Sequence, residues 1–204
     1  MSMRVVHVSS SDISGGAPRA TYRLHRALID IGVHSEILVH EKLSDDALIH
    51  ICGPQRYGRF YEIKRTLNRY RWSKFKPASN NYFNRADDSW GFSARLRSGS
   101  YDLVHLHWLG SNTLTVEEIG RLRQPVVWTL HDMWAFCGAE HYVSDDTQAR
   151  FRLGYNPDNR EPGESGPDMN RWVWTRKLKS WRRPMTIVCP SQWLASCARE
   201  SVLC

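Results

Sequence analysis

The chain has no apolar run approaching the roughly 20 residues that cross a bilayer, so the sequence offers no transmembrane helix. Its opening, MSMRVVHVSSSD, runs straight into a β-like stretch without a small-residue cleavage site, and does not read as a secretory signal peptide. The five cysteines, Cys52, Cys137, Cys189, Cys197 and Cys204, form no CxxC pair. Neither a disulfide framework nor a zinc knuckle is therefore expected, and the thiols read as reduced ones in a cytoplasmic protein. The dinucleotide fingerprint GxGxxG, the phosphate-loop motif and the hydrolase elbow GxSxG are all missing. Repeats and low-complexity tracts are missing too. What remains is 204 residues, 41% hydrophobic and 24% charged, the length of one large domain or two small ones and enough to bury a core.

Charge is unevenly spread. The formal net charge is +7, but residues 56–76 (RYGRFYEIKRTLNRYRWSKFK) carry eight Lys or Arg against one Glu, and residues 171–183 (RWVWTRKLKSWRR) six and no acid. The rest of the chain is mildly acidic. Two basic segments rich in Trp and Tyr suggest a polyanionic surface as partner: a membrane headgroup layer, a phosphorylated lipid or a nucleic acid. A solvated helix face rich in arginine has the same composition.

Strand-like and helix-like stretches alternate. Residues 3–8 read as a strand, followed by the Ser/Gly loop SSSDISGGAPRA and a helix over 18–31 carrying Tyr22, Leu24, Leu28 and Ile31, closed by Gly32. Residues 35–40 and 48–52 read as further strands. The basic segment 56–76 sets Phe60, Ile63, Leu67 and Tyr70 on one helical face, suited to a core or an interface. Beyond it come a helix over 88–97, a strand at 102–108 and a capped helix at 115–123. A strand at 125–132, a polar loop over 138–168, a basic helix at 168–182, a strand at 185–190 and a helix start at Ser191 complete the chain. This βαβ alternation predicts an α/β, Rossmann-like doubly wound parallel sheet, which binds ligands at the carboxyl ends of its strands.

Three such strand ends carry chemistry. Ser14-Gly15-Gly16-Ala17 stands before a helix, where glycines let an anion approach free N–H groups and a helix dipole; an ordinary tight turn reads the same way. His105 and His107, two apart on a strand, share a face with room for ligand contact, but two histidines without a third ligand do not make a metal site. At Thr129-Leu130-His131-Asp132-Met133-Trp134 the His–Asp pair suits hydrogen bonding to a polyol, with Trp134 and Tyr142 as stacking surfaces. A His–Asp base pair for hydrolysis is a competing reading that lacks a nucleophile signature, and a capping Asp beside a core His is the plain structural one.

In sequence order, RVVHVSSSDISGGAPRATYRLHRAL, DLVHLHW, PVVWTLHDMWAFCGAEHY and IVCPSQWLASCA resemble the amino-terminal half of family 4 retaining glycosyltransferases of the GT-B fold, especially their colanic-acid and exopolysaccharide branch. The resemblance implies that residues 1–204 form the acceptor-side Rossmann-like domain, with the carboxy-terminal nucleotide-sugar domain absent from this chain. It implies transfer of a sugar from a nucleotide-sugar donor to a saccharide, one linked to polyprenyl diphosphate, without a metal or other cofactor. Gly15 and Gly16 would hold the donor diphosphate, and His131, with Asp132 beside it, would be catalytic. Arg19, His105, His107, Trp108, Trp134, His141 and Tyr142 would line the acceptor side, and Ser191 would lie at the domain junction. The family's Glu-x7-Glu pair has no match among the nine glutamates here, so the chain alone is expected to be inactive. An acceptor of that kind sits at the inner face of the plasma membrane. The basic segments 56–76 and 171–183 would then face anionic lipid, giving a cytoplasmic, peripheral protein with no nucleic-acid partner. A non-catalytic half-protein and a basic, aromatic nucleic-acid module are the alternatives.

Overall fold

The computed structural model describes residues 2–53, 58–78, 82–110 and 113–204. Arg56 and Tyr57 of the first basic segment, and the side chain of Phe60, lie outside the described residues. Six strands form one wholly parallel sheet: β1 (Arg4–Val8), β2 (His34–Val39), β3 (Ile49–Ile51), β4 (Leu103–Leu106), β5 (Val126–Thr129) and β6 (Thr186–Val188). Their order is β3-β2-β1-β4-β5-β6. The central strands are apolar on both faces, with Val5, Val6, Val8, Ile37, Leu38, Val39, Val104 and Leu106 all buried, as a sheet covered by helices on both sides requires. This is the expected Rossmann-like α/β sheet. After β3 the chain crosses to the far side of β1, so neighbouring β1 and β4 send their following loops in opposite directions and leave a crevice at their carboxyl ends.

Helix α1 (Gly16–Asp30) starts two residues before the sequence expectation, with Pro18 inside the first turn, where its missing N–H removes no helical hydrogen bond. Its inward line is Pro18, Thr21 and His25, and Ile31 stays 75% exposed just past its end. The expected stripe was thus displaced onto the flank, because His25 is drawn inward by a 2.8 Å hydrogen bond to Ser35 on β2.

Of the two uses expected for the apolar face of α2 (Arg59–Lys74), core or interface, the core is excluded. The expected apolar face points outward: Ile63, Leu67 and Tyr70 are 62%, 57% and 60% exposed. The helix rests instead on Tyr61, Arg65, Asn68 and Trp72. Tyr61 and Arg65 bind Asp88, and Trp72 joins Phe75 and Phe83 in an aromatic cluster. Aromatic packing and ion pairing at one end outweigh the burial of three aliphatic or phenolic side chains.

Short helices α3 (Phe92–Ser98) and α4 (Val116–Gly120) follow, the latter opened by a reciprocal capping box between Thr115 and Glu118. The polar stretch 138–168 is built into the fold. Around α5 (Arg150–Leu153), Phe151 and Tyr155 are buried. The buried Arg150 binds Asp168 at 2.6 Å, lies 3.8 Å from Glu164 and stacks 4.4 Å over Tyr155. Helix α6 (Met169–Ser180), capped by Asp168, packs against α4, and α7 (Gln192–Arg199) closes the chain.

The second basic segment is partly built into the fold. Lys177 is fully buried, and Arg176 is spent on Glu117 at 2.6 Å and on the carbonyls of Arg85 and Ala86. Arg183 binds the carbonyls of Leu122 and Arg123. Lys177 and Arg176 are therefore drawn into the fold, while Arg183 makes its contacts from an exposed position.

Candidate functional site

The loop leaving β1 is fastened by Asp12, a residue the sequence reading passed over. Its Oδ1 accepts from the backbone N–H groups of Ile13 and Leu43, both at 3.0 Å, and its Oδ2 from that of Ser44 at 2.8 Å. Burial pushes this carboxyl upward, but the hydrogen bonds from Ser44 and Leu43 outweigh it and hold the group below the usual range. Asp12 thereby ties the β1–α1 loop to the segment after β2. Beyond it, Gly15 takes φ +96° and ψ −178°, a conformation open to glycine alone, and serves as N-cap of α1 without any side-chain cap. Gly15 and Gly16 are exposed, and nothing lies within 4 Å of where a Cβ on either would sit. The amino end of α1 is open to solvent and carries no side-chain cap. Arg19 lies one turn on, exposed, its Nε donating to the carbonyl of Ile13.

Next along this edge, β4 runs out at His107 and Trp108, and β5 at His131. Parallel register places His7 of β1 opposite His105 of β4. His7 Nδ1 lies 3.0 Å from His107 Nε2, and His107 Nδ1 lies 3.4 Å from His131 Nε2. His105 turns to Thr129 Oγ1 at 2.8 Å and stacks on His107 at 4.3 Å. Burial lowers the basicity of all these rings: His105 falls to about 4, His7 and His107 well below the ordinary value, and His131 less, burial being opposed there by Asp132. His131 is half-buried, at the outer end of the row. One nitrogen each from His7, His105 and His107 lies within 4.8 Å of the others, and these three alone among the described residues could hold a metal ion.

The neighbours of His131 turn inward. Asp132 does not pair with it; Oδ1 accepts from the Trp134 backbone N–H at 2.9 Å, and Oδ2 meets His141 Nδ1 at 2.5 Å. Asp132 and His141 are both buried and shape the turn after β5. Trp134 is 2% exposed, its indole N–H bound to the Asn84 carbonyl, so it is a core residue in this structure rather than a stacking surface. Beneath the turn, Lys177 Nζ donates to the carbonyls of Trp134, Cys137 and Gly138, and sits 3.9 Å from the Trp134 ring centroid. Burial lowers Lys177 to about 7 and raises the enclosed Glu140 to about 7.

The exposed aromatic rim consists of other residues. Trp108 is half-buried, and Tyr142 is 54% exposed. Tyr82, absent from the sequence-based set, is 48% exposed and lies edge-on to His141 at 4.7 Å and near Trp108 at 5.6 Å. Its signal in the sequence is nil, because pairing of 82–84 with 139–141 is a long-range event. Ser191 caps α7, its Oγ accepting from the Leu194 N–H at 3.2 Å, at the carboxyl end of β6. Gly15, Gly16, Arg19, Trp108, His131 and Ser191 thus share one edge of the sheet, while His105, His107, Asp132, Trp134 and His141 stand behind it.

The model of a family described as Glycosyltransferase Family 4 matches residues 14–201. No curated protein matches the chain.

Proposed function

Because the chain belongs to glycosyltransferase family 4, we propose that it supplies the acceptor-side lobe of a retaining enzyme that elongates a lipid-linked saccharide in exopolysaccharide synthesis. The observation that carries this reading is that an uncapped helix amino terminus at Gly15–Gly16 and a neutral, hydrogen-bonded His131 both follow the carboxyl ends of strands in one parallel sheet. The helix terminus suits the donor diphosphate, where N–H groups and the helix dipole stabilise the charge that develops as it leaves. His131 suits a hydroxyl of the transferred sugar. In the transfer the bond from the sugar's anomeric carbon to the diphosphate oxygen breaks, and a bond to the acceptor oxygen forms on the same face. The acceptor's proton passes to the departing diphosphate. The chain's own work is positioning. Trp108, Tyr82 and Tyr142 offer apolar faces to the acceptor saccharide. With no Glu-x7-Glu pair, these residues need a nucleotide-sugar lobe for turnover.

We assign the anionic inner face of the plasma membrane to α2. No helix among the described residues is long and apolar enough to cross a membrane. Exposed Ile63, Leu67 and Tyr70 stand among the cations of 59–74. Arg71 lies 6.0 Å from the Trp172 ring, joining this face to α6. Each Lys or Arg near such a surface contributes about 1 kcal/mol. Co-sedimentation with anionic vesicles is expected to fall sharply for Ile63→Ser/Leu67→Ser and with added salt; binding that ignores both would refute the assignment.

Saturation-transfer NMR with oligosaccharides and nucleotide-sugars tests the site. Saccharide contact is expected, lost in Trp108→Ala and Tyr82→Ala. Turnover by these 204 residues alone would show the donor site to be misplaced.

A further inference from the structure

The histidines behind the rim are joined head to tail, and the naming of the atoms matters. Each link runs from Nδ1 of one ring to Nε2 of the next: His7 to His107 at 3.0 Å, and His107 to His131 at 3.4 Å. A neutral imidazole has one N–H and one bare nitrogen. Burial keeps all three rings neutral. His107 uses both nitrogens, so it donates through one and accepts through the other. Whichever way it faces, its neighbours must follow: all three rings carry the proton on Nδ1, or all three on Nε2.

We propose that His7 and His107 are positioning residues that hold His131 in a single neutral tautomer shared by the three rings, so that β1 decides which hydrogen bond His131 offers at the rim. If the protons sit on Nδ1, the outward nitrogen of His131 is a donor; if on Nε2, it is an acceptor. The inner end of the row is closed: His7 Nε2 is buried with no hydrogen-bond partner. An N–H at that nitrogen would be a buried donor without an acceptor, which costs more than a bare nitrogen there, so the row holds its protons on Nδ1 and the tautomer is locked by energy. The value of this lock for a sugar ligand rests on the glycosyltransferase reading; the lock itself does not.

A metal ion is the competing use of these rings: one nitrogen each from His7, His105 and His107 lies within 4.8 Å of the others, and a dication held there would need a bare nitrogen from every one of them.

Long-range 15N–1H correlation spectra of the histidine-labelled chain decide the matter, with no transferase assay involved. Between pH 6.5 and 8, three neutral rings with the same tautomer are expected. His7→Phe removes the anchor and should leave His131 as a mixture, whereas His7→Asn, whose amide replaces Nδ1, should restore a single form. Differing tautomers among the three rings of the unaltered chain would overturn the proposal, and that readout needs no variant to fold. A His131 signal unmoved by His7→Phe would do the same, as would stoichiometric uptake of Zn2+ or Co2+ that His7→Phe abolishes. Loss of sugar binding with the tautomers intact would count against the functional reading alone.

Discussion

His105 gives the sharpest handle on the energetics of the site. Its ring is buried between His7 and His107 and falls to about 4, chiefly through desolvation. In the unfolded chain it titrates near 6.5. Between those values the unfolded state binds the extra proton, so stability is complete above about pH 6.5 and is lost as pH falls toward 4. At pH 5 the gap of about 1.5 pH units from the unfolded value corresponds to about 2 kcal/mol. His7 and His107 shift in the same direction, whereas buried Glu140, raised to about 7, opposes them by favouring the folded state as pH falls from 7 to 4.5. The slope for the whole protein is therefore a composite, and only a difference isolates one ring. His105→Gln keeps a polar group near Thr129 and cannot titrate. Urea unfolding at pH 7.5 and pH 5 should show the unaltered chain losing about 2 kcal/mol more than the variant, or about 1 M in midpoint at an m-value near 2 kcal/mol/M. Parallel curves, agreeing within about 0.5 kcal/mol, would refute the claim that burial holds this ring neutral.

Four further substitutions probe what supports the edge. Lys177→Met leaves the carbonyls of Trp134, Cys137 and Gly138 without their shared donor; the expected loss is about 3 kcal/mol, read from the denaturation midpoint. Gly138→Ala would put a Cβ 2.5 Å from Glu140 Oε2 and 2.6 Å from the Asn170 carbonyl oxygen, so calorimetry should show a loss of about 1–3 kcal/mol. Gly15→Ala forces an L-residue to φ +96° and should cost about 1–3 kcal/mol, while Gly16→Ala, with open space around it, should leave the midpoint unchanged within about 0.5 kcal/mol.

The sheet was legible because its strands are short β-branched runs between turn residues, and because βαβ alternation admits few topologies. The side of α2 that packs was not. Periodicity marked Ile63, Leu67 and Tyr70 as a stripe but could not show that Asp88 and the Phe75–Phe83 cluster would hold the opposite face. The same limit applies at the site. His131 and Gly15–Gly16 stood out by their position at strand ends, whereas Asp132 looked like a partner for adjacent His131 and in fact serves His141, nine residues on. His7 carried no motif at all; its place opposite His105 follows from strand pairing across nearly a hundred residues. Tyr82 and Asp12 escaped for the same reason, since their roles depend on segments brought near only by the fold.

The most direct test titrates the 15N-labelled chain with inorganic pyrophosphate and maps the amide shifts. Saturable shifts at residues 14–17, with the His131 ring responding, are expected if the end of β1 is a diphosphate cradle. Shifts confined to the cations of 59–74 and 171–183, with the Gly15–Gly16 amides unmoved at millimolar ligand, would contradict the site from which the whole functional reading proceeds.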